Sequence, residues 1–272
     1  MKANRLLLIF SLLLAFAVPI NSLAQCKVKN TAMQDGEEIV YDLYFYWAFV
    51  WKKAGEANLT TKNTKYQGIP ALQMDLLVST NKSADVFFKM RDTLTSVVSN
   101  DLEPLYFRKG AEEGKRYTVD EVKYSYIDGK SIVDQKRTRK NRKDVKHHYS
   151  DSICVYDMLS ILAKSRSFNP EKYNKGDRIK FPMATGRRID DIVLEFRGKE
   201  EVKANDGNTY RCIVFALIEE KKNKERDLTT FYITDDKNHF PVKLDLSLNF
   251  GNAEVRMREI KNQKYPITSI VK

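Results

Sequence analysis

Three histidines, three cysteines, a few paired carboxylates and one dense basic run are the residues of this 272-residue chain with chemistry to offer. His147 and His148 are neighbours, and neighbours in a strand point to opposite faces, so they cannot easily share a metal ion. His239 is far away in sequence, in a turn next to Pro241. The histidines therefore read as solvated, and no metal and no cofactor is expected. Nucleophilic catalysis lacks its signatures, because no G-x-S-x-G elbow, P-loop or dinucleotide-binding glycine pattern occurs. Asp190-Asp191, Glu219-Glu220 and Asp235-Asp236 are flanked by turn or charged residues, which suggests solvated loops more than an acid/base pair. No catalytic residue is expected, and the chain reads as a non-enzyme.

Binding is the chemistry that remains. Lys136–His148 (KRTRKNRKDVKHH) is the densest basic run. Arg137, Arg139, Lys140, Arg142 and Lys143 could form an anion-binding patch for lipid head groups, lipopolysaccharide phosphates or polyanionic glycans. No aromatic residues interleave as stacking platforms, so nucleic acid is not an expected partner. The competing reading is a hairpin arm with both faces in water. A second candidate lies in Ile39–Trp51, where Tyr44, Tyr46, Trp47, Phe49 and Trp51 could line the hollow of a curved sheet and hold an apolar ligand. Against it stands a plain core beneath a helix. Cys154 and Cys212 read as small buried side chains, with their pairing left open. Three cysteines are too few for a disulfide framework, although an oxidising compartment permits one bridge.

These residues must be positioned by a mostly β chain. The one convincing helix spans 151–166, where Val155, Met158, Leu159 and Leu162 make an apolar stripe. Ser150, Asp151 and Ser152 are candidate caps, and Asn169-Pro170 stops the helix. Asp157 sits near that stripe, so its carboxylate needs a donor, from Arg166 or a backbone amide. The rest alternates as strands. Ile39–Trp51 reads as one strand apolar on both faces, followed by a turn or bulge at Lys52–Gly55. Further strands are expected over Ile69–Thr80, Val86–Ser99, Tyr117–Tyr126 and Ser131–Arg142, the last two joined by Asp128-Gly129. After the helix come Asp177–Phe181, Asp191–Arg197, Glu200–Ala204 and Tyr210–Ile218. The C-terminal part has Phe231–Thr234, Val242–Phe250 and Ala253–Ile260. Short connections imply antiparallel neighbours. The expected fold is mainly β, a large curved antiparallel sheet, half-barrel or open barrel-like, with one principal helix packed on it.

The first residues resemble an export signal. Lys2 and Arg5 precede an apolar run from Leu6 to Ile20, and Ser22-Leu23-Ala24 resembles a cleavage site. That run is short of the ~20 residues that a membrane-spanning helix needs, so no transmembrane segment is expected. Residues 1–24 read as a signal peptide and 25–272 as one exported, periplasmic or outer-membrane-associated domain. Gln25 stands where a lipoprotein signal would place a small residue, so cleavage after Ala24 is expected rather than lipidation of Cys26. The net charge of +11 speaks to encounter with anionic partners, not to fold.

Asp157-Met158-Leu159-Ser160 with Arg166, Leu102-Glu103-Pro104-Leu105-Tyr106, and Asp235-Asp236 with Pro241-Val242 resemble an exported bacterial family, the domain of unknown function 3108 family. Trp47 with Gly55, and Asp206-Gly207 with Cys212, also fit its pattern. The resemblance covers nearly all of the exported part. It implies a β-rich envelope protein, by looser analogy a relative of half-barrel lipoprotein carriers, and lends no catalytic residues. The function expected is a non-catalytic envelope protein that binds or carries an apolar or amphipathic ligand in its curved sheet. The alternative is an interaction module whose basic arm holds an anionic glycan or a protein partner.

Overall fold

The computed structural model describes residues 26–47, 50–221, 224–248 and 251–272. The first arm of the sheet comprises β1 (Glu38–Trp47), β2 (Val50–Tyr66), β3 (Ile69–Thr80) and β4 (Met90–Ser99). It continues through β5 (Pro104–Glu113), β6 (Arg116–Ile127), β7 (Lys130–Arg139) and β8 (Val145–Asp151). The second arm comprises β9 (Arg178–Ala184), β10 (Ile189–Lys203), β11 (Thr209–Lys221), β12 (Lys224–Thr234), β13 (Pro241–Leu248) and β14 (Gly251–Lys261). Two helices interrupt them, α1 (Lys82–Asp85) and α2 (Met158–Arg166). All fourteen strands form one antiparallel sheet in the order 8-7-6-5-4-3-2-1-14-13-12-11-10-9. Consecutive hairpins thus build each arm outward from the β1–β14 pair, and β8 and β9 are the two edge strands.

Alternation assigns the faces. On β1, Ile39, Tyr41 and Leu43 are buried in the main core with Leu94, Phe107, Val122 and Val133 of the first arm. Met257, Val255 and Ala253 of β14 and Leu244 and Leu246 of β13 continue that face. α2 lies on it as a wedge. Leu159, Leu162 and Ala163 join the first-arm core, while Tyr156 and Ile161 join a second cluster with Phe181, Leu194, Phe215 and Ile233. Contact with both arms from one helix requires a curved sheet, on whose inner face the helix lies.

Several strands differ from expectation. Ile39–Trp51 is a hairpin, not one strand: Trp47 pairs with Val50 and Tyr46 with Trp51. The expected bulge is present, since Leu43 pairs with Gly55 and Tyr44 with Lys53, leaving Ala54 as the extra residue. Gly55 is required there, because a Cβ would lie 2.1 Å from the Ser79 carbonyl oxygen. β4 starts only at Met90, and Val86 and Phe87 belong to the connection after α1. The strands read separately over Asp191–Arg197 and Glu200–Ala204 are one strand, β10, bulged between Phe196 and Gly198.

α2 is shorter than its pattern predicts. Its cap is Asp157, and Val155 belongs to an extended entry in which Tyr156 bridges Met183 of β9. Asp157 accepts from the amides of Leu159 and Ser160 at 3.0 and 2.9 Å, while Ser160 Oγ accepts from the Asp157 amide at 2.8 Å. This is a reciprocal capping box. Met158, expected in the apolar stripe, is 46% exposed. Cys154 is not a lone buried thiol: it forms a disulfide with Cys26, across 128 residues of sequence. Cys212 is the free, buried cysteine. No helix among the described residues is long and apolar enough to cross a membrane.

Candidate functional site

Two ionic regions share the inner face. The first fixes α2. Arg166, at the end of the helix, is 1% exposed and grips Glu37, also 1% exposed, through both carboxylate oxygens, one at 2.8 Å. Its remaining donors reach the Asn238 carbonyl at 3.0 and 3.3 Å. Burial alone would lower the Arg166 pKa, but Glu37 outweighs it and the guanidinium is held charged. At the other end of the helix, Asp157 also accepts from Ser96 Oγ at 3.2 Å and Tyr124 Oη at 3.5 Å. Burial raises its carboxyl above the usual range, and the surrounding donors hold that rise in check. The expected Arg166 donor to Asp157 is therefore engaged elsewhere. His239, expected to be solvated, is half-buried, and its Nδ1–H donates to the Arg166 carbonyl at 2.8 Å. Burial lowers its pKa below the ordinary 6.5.

The second region is the mouth of the sheet, at the end where the β5–β6 and β7–β8 hairpins turn. Going along the inner face from Val122 and Val133 towards those tips, apolar residues give way to Asp120, Arg137 and Arg139. Arg137 forks onto Asp120 at 2.5 and 2.7 Å and donates to the Thr185 carbonyl at 3.1 Å. Gly186 donates its amide to Gln135 Oε1 at 2.9 Å. The turn after β9 thereby clasps β7 across the open edges. Gly186 must be glycine, because its φ is +80° and a Cβ would sit 2.3 Å from that of Asp120.

Beyond this clasp lies a cleft of about 510 Å³. Arg139, Lys140 and Arg142 line one wall; Lys109, Lys115 and Arg116 line the other, with Tyr117 between. Of its acids, Asp120 is taken by Arg137, and Glu113 pairs with Lys109 at 3.4 Å. Arg139, Lys140, Arg142, Lys115 and Arg116 form no ion pair among the described residues, which leaves the cleft strongly cationic. Of the expected basic patch, the fold thus brings Arg139, Lys140 and Arg142 to one wall and gives Arg137 a structural ion pair. Lys143 is exposed outside the lining. The run is not an arm with both faces in water, because Arg137 is half-buried and anchored. The opposite wall was not legible from the basic run, since only strand register brings β5–β6 against it.

The same end carries an apolar tip. Val86 and Phe87, after α1, are 80% and 67% exposed. The Gly114 amide donates to the Lys89 carbonyl at 2.7 Å, tying this tip to the hairpin that bears Lys115 and Arg116.

The described aromatic candidates do not share one hollow, and Trp51 alone of them lines a cavity, of about 320 Å³, among polar residues such as Asp227, Asp245 and Glu254. Tyr44 lies on the outer face, its hydroxyl accepting from Asn205 Nδ2 at 2.9 Å. Tyr46 and Trp51 are 42% and 45% exposed and pack against each other, ring centres 5.2 Å apart and planes tilted by 48°. Trp47 ends β1, its side chain lying outside the described residues, as does Phe49 altogether. The physical reason is the hairpin: folding back after Trp47 puts Tyr46 and Trp51 side by side on the face opposite Tyr41 and Leu43. The carboxylate pairs are engaged in local ion pairs and turns, Asp190 with Arg188, Glu220 with Lys180 and Asp235 with Lys199. Asp236 caps its turn, accepting from Ser269 Oγ at 2.7 Å and the Asn238 amide at 3.0 Å. Among the described residues no group of three or more His, Cys, Asp or Glu side chains is placed to hold a metal ion.

The chain has solved structural relatives. A β-barrel-like protein of the domain of unknown function DUF1849 from Brucella abortus is similar over 85% of this chain and 98% of its own, with a TM-score of 0.55 and 9% identity. At that identity the likeness concerns the fold alone. A second structure, titled a "putative lipoprotein" from Parabacteroides distasonis, aligns over 86% of this chain and 99% of its own, at 11% identity and a TM-score of only 0.35. No curated protein matches the sequence. The pattern of DUF3108, a protein of unknown function, matches residues 40–258, and the chain belongs to that family.

Proposed function

We propose that the protein is a non-catalytic envelope protein that docks the open end of its sheet onto an anionic lipid surface. The observation that carries this reading is the junction of the five unpaired cations of the mouth with the exposed Val86–Phe87 tip. An acidic glycan would account for the cations but leaves the apolar tip in water, whereas a lipid interface accommodates both. Each cation near an anionic leaflet contributes about 1 kcal/mol. Burying the Val86 or Phe87 side chain adds about 1.5–3 kcal/mol. The Cys26–Cys154 disulfide supports an exported location, where such bonds persist. A carrier cavity shared by the aromatic cluster has less support, since Tyr44, Tyr46 and Trp51 lie on the face opposite α2.

Co-flotation with phosphatidylglycerol and phosphatidylcholine vesicles tests the reading. Binding is expected to the anionic vesicles only, to fall steeply with added salt, and to drop at least tenfold both in V86S/F87S and in R139Q/R142Q. Equal binding to neutral vesicles, or none to either, overturns it. Binding to a soluble acidic polysaccharide that V86S/F87S leaves unchanged, without vesicle binding, would identify a glycan partner instead.

A further inference from the structure

On the other side of α2, the helix does not close against the second arm. Between it and β9–β10 remains a cavity of about 250 Å³, walled by Tyr156, Ile161, Phe168, Phe181 and Leu194. Ile153, 54% exposed, stands at its edge. Two lysines interrupt these apolar walls, Lys164 and Lys180. Lys164 is half-buried, its Nζ hydrogen-bonds the Tyr156 hydroxyl, and it lies 4.4 Å from the centre of that ring. No carboxylate among the described residues pairs with it, while Lys180, also in the lining, is neutralised by Glu220 at 2.8 Å.

We propose that this cavity binds a single-chain amphiphile with a carboxylate head, of the medium-chain fatty-acid class, its head on Lys164 and its chain along Phe168, Phe181 and Leu194. An ammonium held among apolar side chains without a counter-ion is unfavourable, and a bound anion relieves that. Burial already lowers the Lys164 pKa from the ordinary amine value, which marks the charge as uncompensated. The head group follows from the donors. One ammonium and one hydroxyl match the two oxygens of a carboxylate, whereas a phosphate needs more donors than the site offers. The volume sets the tail, lying below the ~300–1,000 Å³ of drug-sized pockets, which suits one short chain and excludes a diacyl lipid. Neither the cations of the mouth nor the Val86–Phe87 tip takes part, so failure of vesicle docking would leave this site untouched.

Isothermal titration of the oxidised chain with sodium decanoate, below its micellar concentration, tests the site against decyltrimethylammonium of equal chain length. Decanoate is expected to bind at least tenfold more tightly. Lys164→Met, which keeps the apolar stem, should weaken decanoate more than tenfold while leaving the melting temperature unchanged or raised. Ser165→Phe, at a lining position, should fill the cavity and abolish binding in a chain that still melts cooperatively. Decanoate binding unaffected by Lys164→Met, or no binding to the native chain, overturns the proposal.

Discussion

The two ionic regions of the inner face differ in one respect that decides their roles. At the two ends of α2 the fully buried charges have their partners: Arg166 with Glu37, and Asp157 with two amides and two hydroxyls. At the mouth the carboxylates run out first, and five cations remain without ion pairs among the described residues. A dry, balanced set cannot take a ligand without breaking itself, and so it fixes geometry. An open, unbalanced set contributes little to folding and is disposed to bind. Charge density alone, visible as the run from Lys136 to His148, does not separate the two; partner count does.

That contrast can be broken most forcefully at Glu37. Glu37→Ala strands the Arg166 guanidinium in the core, and urea denaturation should report a loss of about 3–5 kcal/mol. Glu37→Leu with Arg166→Met removes both charges and should recover most of that loss. A Glu37→Ala chain as stable as the native one would place the pair among ordinary surface bridges.

A smaller effect belongs to His239, which donates to the Arg166 carbonyl. Its pKa is lowered on folding from 6.5, so between that value and the folded pKa the unfolded chain binds more protons. Stability from this group is therefore full above pH 6.5 and falls as pH drops through that window, by at most about 1.4 kcal/mol per pH unit. Denaturation curves between pH 5 and 8 should show this slope, and His239→Gln should flatten it. The smallest effect is expected at the mouth. Arg139→Gln with Arg142→Gln should change stability by no more than about 0.5 kcal/mol per substitution in urea, because neither arginine forms an ion pair among the described residues.

Where local chemistry marked the boundary, the sequence was legible. Ile69–Thr80 is β3 to the residue, bounded by Gln67-Gly68 in left-handed conformations and by Asn81, which caps α1. The alternation of Val242, Leu244, Leu246 and Leu248 also meets the core as read. Ile39–Trp51 was misread because Ala48 and Phe49 carry no turn chemistry, so a hairpin looked like one strand. The helix was overextended because Val155 has helical spacing to Leu159 and Leu162 yet leads in as extended chain. Its real cap, Asp157, is paired with Ser160 rather than with the Glu or Gln of the commoner capping box. The sites were less legible than the fold. The second wall of the mouth comes from β5–β6, some twenty residues before the basic run, and only register joins them. Lys164 carries no signal in the helix pattern, and only β9 and β10 place it beside an apolar cavity.

The bridge between Cys26 and Cys154 has a topological consequence. It ties the start of the described chain to the entry of α2, and all eight strands of the first arm lie within the covalent ring it closes. A protease that nicks any hairpin of that arm once therefore leaves a single molecule, separable only after reduction. One cut in the second arm frees a fragment at once, held by non-covalent contacts alone. The two halves of a continuous sheet are thus unequal as polymers, one a macrocycle and the other an open tail.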